Sequence, residues 1–248
     1  VDIQIDKLQT PSSVLGECVV VIDVLRAFTT AAFAFSVGAT KIIPVSTVDE
    51  AFSIKSRFSN SLLLGEVGGL PIAGFDFGNS PSEIKKLDLT GKTIIQRTSA
   101  GTQGVVRSIH SKKILVSSFV VAEATVKRIQ TIGPKNLSFV ITGQVNGDED
   151  FALADYIESK IHRKAHLDPE PFLKRVIESP EGQYFSSSND PSTPPKEDLH
   201  LATALDLFQF TMEVIKEKEL PVIYPVDQFG AVQYPSTSNI VIGGESGF

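Results

Sequence analysis

The chain has 248 residues, between one and two domains of typical size. Its 42% apolar and 21% charged residues exclude an intrinsically disordered chain, and a net charge of −6 gives no global attraction to nucleic acid or an anionic bilayer. The one cysteine, Cys18, excludes an internal disulfide and any multi-thiolate metal site, so a reducing, cytoplasmic setting is expected.

The first residues, Val1-Asp2-Ile3-Gln4-Ile5-Asp6, alternate like a strand and lack the basic start and continuous apolar stretch of a signal peptide. Residues 18–24 read as a buried strand, and residues 27–37 as an apolar helix ended by Gly38. Residues 41–46 and 48–58 are the next strand and helix, with Thr47 as N-cap, and residues 62–64 add a strand. From Glu66 to Pro81 the alternation breaks at Gly68, Gly69, Pro71, Gly74 and Gly78; a loop this long inside a domain is usually functional, and Phe75 and Phe77 favour an ordered one. Strands follow over residues 93–96, 113–117 and 137–142, and helices over residues 101–109, 122–132 and 151–161. Residues 177–196 are rich in Ser, Pro, Asn and Gly, a surface excursion or hinge that includes Ser186, Asn189 and Pro191. A charged helix over residues 199–217 and short strands near Val222 and Ile240 close the chain. The alternation predicts an α/β fold with a parallel or mixed sheet covered on both faces. It forms one large domain, residues 1–248, with room for a smaller C-terminal lobe from about residue 165. No apolar run reaches the roughly 18 residues of a membrane span.

The polar clusters fall just after predicted strands, where open α/β sheets bind ligands. In Asp23-Val24-Leu25-Arg26-Ala27-Phe28-Thr29-Thr30 a strand ends in a carboxylate, and an arginine and two hydroxyls open a helix. Such a start is an anion site or, equally, a local ion pair with capped threonines. Glu66 ends the strand over residues 62–64. The turn Gln96-Arg97-Thr98-Ser99-Ala100-Gly101-Thr102 is the best phosphate cradle in the chain. In the run from Gly143 to Asp150, Asp148, Glu149 and Asp150 either complement a helix dipole or hold a hard cation such as magnesium.

Several motifs are absent. There is no Gly-x-Ser-x-Gly elbow, Gly91-Lys92-Thr93 has Lys86 where a P-loop needs glycine, and Leu25 replaces the second aspartate of haloacid-dehalogenase-like phosphatases. His162 and His166 lack the intervening carboxylate of a zincin, and Cys18 reads as an inert buried thiol.

The runs from Val21 to Thr30, Gly65-Glu66, Gly74 to Pro81 and Arg97 to Thr102 together resemble the 2-phosphosulfolactate phosphatase family. The resemblance covers most of the chain to about residue 160 and continues more loosely over residues 198–217. It implies a three-layer α/β/α fold of the family's own type and magnesium-dependent hydrolysis of 2-phosphosulfolactate to sulfolactate and phosphate, a step of coenzyme M biosynthesis in methanogenic archaea. Under this reading some of Asp23, Glu66, Glu149 and Asp150 hold Mg2+. Arg26, Arg97, Ser99 and Thr102, with Thr29, Thr30 and Gly101 beside them, hold the phosphoryl oxygens. The attacking group is metal-activated water or Asp23 itself, and Asp76 is the acid for the leaving alkoxide. The expected partner is a small anionic phosphoester, with no nucleic acid and no membrane, and a homo-oligomer is compatible with it. The alternatives are a phosphatase for another small acidic phosphoester and a non-catalytic anion-binding protein; the carboxylates beside the cradle count against the latter.

Overall fold

The computed structural model describes residues 3–8, 16–143, 148–162, 167–187 and 194–234. Residues 144–147, Ser188 to Pro191, His166 and Ile240, which carry part of the acidic run, the polar excursion and a predicted strand, lie outside them. Among the described residues no helix is long and apolar enough to cross a membrane.

The strands are β1 (Gln4–Leu8), β2 (Cys18–Ile22), β3 (Lys41–Pro44), β4 (Ser61–Val67), β5 (Leu70–Pro71), β6 (Thr93–Arg97), β7 (Lys113–Ser117), β8 (Asn136–Ile141), β9 (Thr211–Glu217) and β10 (Leu220–Val226). They form one mixed sheet in the order β1-β8-β2-β7-β9-β10-β3-β6-β4-β5. In β2 every side chain is buried, with Val19 and Val21 in one core and Cys18, Val20 and Ile22 in the other, as the two-residue period of a doubly covered strand requires.

The helices are α1 (Ala27–Ser36), α2 (Val48–Arg57), α3 (Pro81–Ile84), α4 (Gly101–Arg107), α5 (Ala122–Ile132), α6 (Asp148–Ile161), α7 (Glu170–Glu178), α8 (Pro180–Ser187) and α9 (Lys196–Ala202). The α1 and α4 helices share a core with one face of the sheet; α5 and α6 cover β8, β2 and β7 on the other, and α2 covers β3, β6 and β4 on that same side. This is the expected three-layer α/β/α arrangement. Thr47 caps α2 as predicted, its side chain accepting the N–H of Glu50.

The helix expected over residues 199–217 does not form. The α9 helix stops at Ala202, and the chain re-enters the middle of the sheet as β9, between β7 and β10. Glu and Lys favour a helix locally, but Met212 and Val214 alternate into the α1 core while Glu213, on the other face, meets Arg128 at 2.8 Å and Lys113 at 2.7 Å. Pairing on both sides outweighs a weak propensity.

This insertion decides the geometry of the site. Three successive antiparallel pairings, β7 with β9, β9 with β10 and β10 with β3, make β1, β8, β2 and β7 run opposite to β3, β6 and β4. Twist of roughly 20–25° per strand step accumulates over the five steps from β2 to β6, so these strands cross steeply rather than simply oppose. Their C-terminal ends meet as a result: Gln96 of β6 donates its side-chain amide to the carbonyl of Ala27, just beyond β2, at 3.0 Å.

Candidate active site

Asp23 leaves β2 as the chain turns into α1, and its Oδ1 accepts the N–H of Ala27 at 2.9 Å. The cradle of α4 closes on it from β6. A Cβ placed on Gly101 would lie 2.7 Å from Asp23 Oδ2 and 2.7 Å from the Ala27 methyl, so only glycine permits the approach. Gly65 plays a similar part in β4, where φ is 151° and a Cβ would fall 1.9 Å from the carbonyl oxygen of Arg97.

A cavity of about 250 Å³ opens over this convergence, and Asp23, Arg26, Glu66, Ser99, Glu149 and Asp150 all line it. Glu66 organises the loop: it accepts from the Ser99 N–H at 2.6 Å, the Ser99 hydroxyl at 3.0 Å and the Gly69 N–H at 2.6 Å. Asp150, in the first turn of α6, accepts the N–H of Val24 at 2.8 Å and of Gly143 at 2.9 Å, tying α6 to the ends of β2 and β8. Glu149 stands apart. Its Oε2 is buried with no hydrogen-bond partner among the described residues.

Proximity shapes the electrostatics. Burial pushes the Asp23 carboxyl up to about 6; the Ala27 N–H opposes this and the charge of Glu66 adds to it. Burial also lifts Glu149 to about 7, reinforced by the charges of Glu181, Asp23 and Asp148. Asp150 rises well above its ordinary range through burial and the charges of Asp23 and Glu149, although the Val24 and Gly143 N–H groups hold it down. A cavity lined by this many buried carboxylates is relieved by protons or by a cation.

The oxygens are of the hard type that Mg2+ selects. Among the described residues no three of His, Cys, Asp and Glu form a group able to hold one ion by themselves. The four carboxylates expected as metal ligands, Asp23, Glu66, Glu149 and Asp150, thus line one cavity without forming a ready-made cation cage.

The structure does not bring every expected residue to the cavity. Asp76 is held elsewhere, by Lys55 Nζ at 2.7 Å and the Leu63 N–H at 2.7 Å. Burial raises its carboxyl, but these two donors and the Lys55 charge more than offset that and hold it below its usual range, the wrong direction for a proton donor. Arg97 turns back to the Glu66 carbonyl at 2.8 Å and does not line the cavity. Thr102 exchanges hydrogen bonds with Thr98, and Thr29 donates to the Val24 carbonyl at 2.8 Å. Thr30 is fully buried in α1. These residues shape the turns rather than the cavity wall. Gly101 acts by its missing side chain.

Other residues enter that the sequence did not single out as site residues, although Asn79 lies within the run from Gly74 to Pro81. Asn79, Glu181 and Phe185 line the cavity, and Asp198, fully buried on α9, takes Arg26 Nη1 on its Oδ2 at 2.7 Å. The only signal for Asp198 is an acid beside the apolar Leu199, Leu201 and Ala202, which reads equally as the first turn of an exposed helix.

A family model described as 2-phosphosulpholactate phosphatase matches residues 5–183. A protein of Bacillus subtilis (strain 168) named "Probable 2-phosphosulfolactate phosphatase" is 31% identical over 205 residues, covering 82% of this chain and 90% of that protein. A protein of the same name from Carboxydothermus hydrogenoformans is 38% identical over 185 residues, 73% of this chain and 71% of that one. One from Thermotoga petrophila is 37% identical over 182 residues, 71% and 77% of the two chains. The matched region carries the β2–α1 turn, the Glu66 loop, the cradle before α4 and the acidic start of α6. On this match the chain belongs to the 2-phosphosulpholactate phosphatase family.

Proposed function

We propose that this protein hydrolyses 2-phosphosulfolactate, adding water across the phosphoester to yield sulfolactate and inorganic phosphate, with Mg2+ as cofactor. The observation that carries the reading is the meeting of Asp23, Glu66, Glu149 and Asp150 with Arg26 in one cavity. Asp23 and Glu149 are the proposed metal donors. Asp150 and Glu66 already accept several N–H bonds each, whereas Glu149 Oε2 has no partner among the described residues. Bound there, the cation supplies charge neutralisation to the phosphoryl oxygens.

The chain's own groups do the rest. Arg26 presents a guanidinium to an anionic group of the substrate, and the Asn79 amide adds hydrogen bonds from the cavity wall, while the Ser99 hydroxyl, already given to Glu66, holds the loop in place. Leu25 and Phe185 make part of that wall apolar, which limits water and strengthens each charge interaction inside.

The test is phosphate release from 2-phosphosulfolactate by the purified protein, with Mg2+ and after chelation, beside a panel of other small phosphoesters. Magnesium-dependent release selective for the sulfonated substrate supports the reading. Release from a different ester alone overturns the substrate, and release undiminished by chelation overturns the metal.

A further inference from the structure

We infer that Asp198 is a positioning residue: it holds the Arg26 guanidinium away from the cavity's own carboxylates, in place to receive an anionic group of the substrate. The substrate's identity rests on the function proposed above; the positioning rests on geometry alone.

Asp198 is fully buried, and each of its oxygens is engaged. Oδ1 accepts the Ser80 hydroxyl at 2.8 Å and the Ser82 N–H at 3.0 Å, which fixes the carboxylate to the start of α3. Oδ2 accepts Arg26 Nη1 at 2.7 Å. From another side the Phe185 ring of α8 lies 5.2 Å below the guanidinium carbon. Arg26 is therefore gripped by a carboxylate from α9 and an aromatic face from α8 while it lines the same cavity as Asp23, Glu149 and Asp150.

The reason for such a grip lies in the neighbours. A guanidinium has five N–H donors and pairs strongly with carboxylates, so in a cavity holding several of them an unrestrained Arg26 would fold onto the acids. That collapse would bury the groups meant for the cation and remove the donor meant for the substrate. A competing carboxylate anchored outside the cluster prevents it with one N–H, leaving four donors on the same group. Simple charge balance does not require this arrangement, since an arginine among carboxylates is neutralised without Asp198.

The experiment is a double-mutant cycle with Asp198→Asn, which keeps the shape and an acceptor for Ser80, and Arg26→Gln. Two readouts are taken in Mg2+: KM and kcat for 2-phosphosulfolactate, and the Kd of inorganic phosphate by titration calorimetry, which needs no turnover. Loss of a charge-assisted hydrogen bond sets the expected scale. Asp198→Asn should raise KM and the phosphate Kd about tenfold, leave kcat within about threefold, and raise the Mg2+ concentration needed for half-maximal phosphate binding. In the Arg26→Gln background it should add less than about twofold, because nothing is left to position. A full tenfold loss that persists in that background, or no loss in Asp198→Asn alone, overturns the inference. Phosphate coupling without turnover of 2-phosphosulfolactate keeps the inference and discards the substrate; turnover with additive losses does the reverse. A wild-type protein that neither binds nor releases phosphate overturns both. Should Asp198→Asn fail to fold, Ser80→Ala removes one anchor and should give a smaller effect of the same sign that also vanishes with Arg26→Gln; an effect that survives there overturns the inference.

Discussion

The α carbon of Gly101 stands so close to Asp23 that a methyl group added to it would lie 2.7 Å from the carboxylate oxygen. Two loops from opposite-running halves of the sheet are thereby pressed into a single wall. Gly101→Ala must push α4 off Asp23 and Ala27. Overpacking of this kind costs about 1–3 kcal/mol of stability, and a shift of the order of 1 Å at reacting groups costs about a hundredfold in rate. Thermal melts and kcat/KM for phosphate release measure the two; a stable variant with full activity would show that the approach is not needed.

The acidic cavity makes stability depend on pH and on metal together. Asp23 and Glu149, held at about 6 and about 7 against ordinary values of 3.8 and 4.5, bind protons more tightly folded than unfolded. Their contribution is complete below the unfolded values and is lost as pH rises through the folded ones. The chelated protein should therefore lose stability from these groups between about pH 4 and pH 7. Magnesium, replacing the protons, should raise Tm little at pH 5 and by several degrees at pH 8. Glu149→Gln should flatten the pH trend and shrink the magnesium effect. An equal magnesium effect at both pH values would contradict the assignment.

Asp76 separates a loop function from a catalytic one. Its carboxylate serves the Leu63 N–H and Lys55, not the cavity. Asp76→Ala should cost on the order of 1 kcal/mol, chiefly through the unsatisfied N–H because the ion pair is partly exposed. Steady-state rates should stay within about twofold of wild type. A fall of a hundredfold in kcat, with the fold intact, would return Asp76 to the mechanism.

Asp150 and Asp23 should divide in the opposite sense. Removing the Asp150 carboxylate strands the buried N–H of Val24 and the half-buried N–H of Gly143, so Asp150→Ala should lose about 2–4 kcal/mol in urea denaturation. Asp23→Asn relieves charge repulsion and should leave stability at pH 8 equal or higher, while phosphate release falls by at least about a hundredfold. Equal stability losses in the two variants would argue against distinct roles.

The strands and most helices were readable because each carries its own period: buried β-branched runs such as residues 18–22, then apolar helices begun by a cap such as Thr47. Asp23, Glu66 and Ser99 drew attention in the sequence because each stands at or just beyond a strand end, where polar groups gather without breaking the ladder, and Glu149 and Asp150 because they open the helix that follows β8; all five line the cavity of the proposed site. Tertiary structure alone decided the rest. The segment Thr211–Glu217 has a helical composition and becomes a central strand, since its partners β7 and β10 lie elsewhere in the chain. That insertion reverses half the sheet, and accumulated twist brings the ends of β2 and β6 together. Arg26 and Asp198, 172 positions apart, meet only after this folding. Arg97 and Asp76 have the residue types of a phosphate site, yet Arg97 turns to a backbone carbonyl and Asp76 to a backbone N–H and Lys55. Local pattern encodes which residues stand at strand ends; which of them face one another depends on strand order and twist, which are properties of the whole sheet.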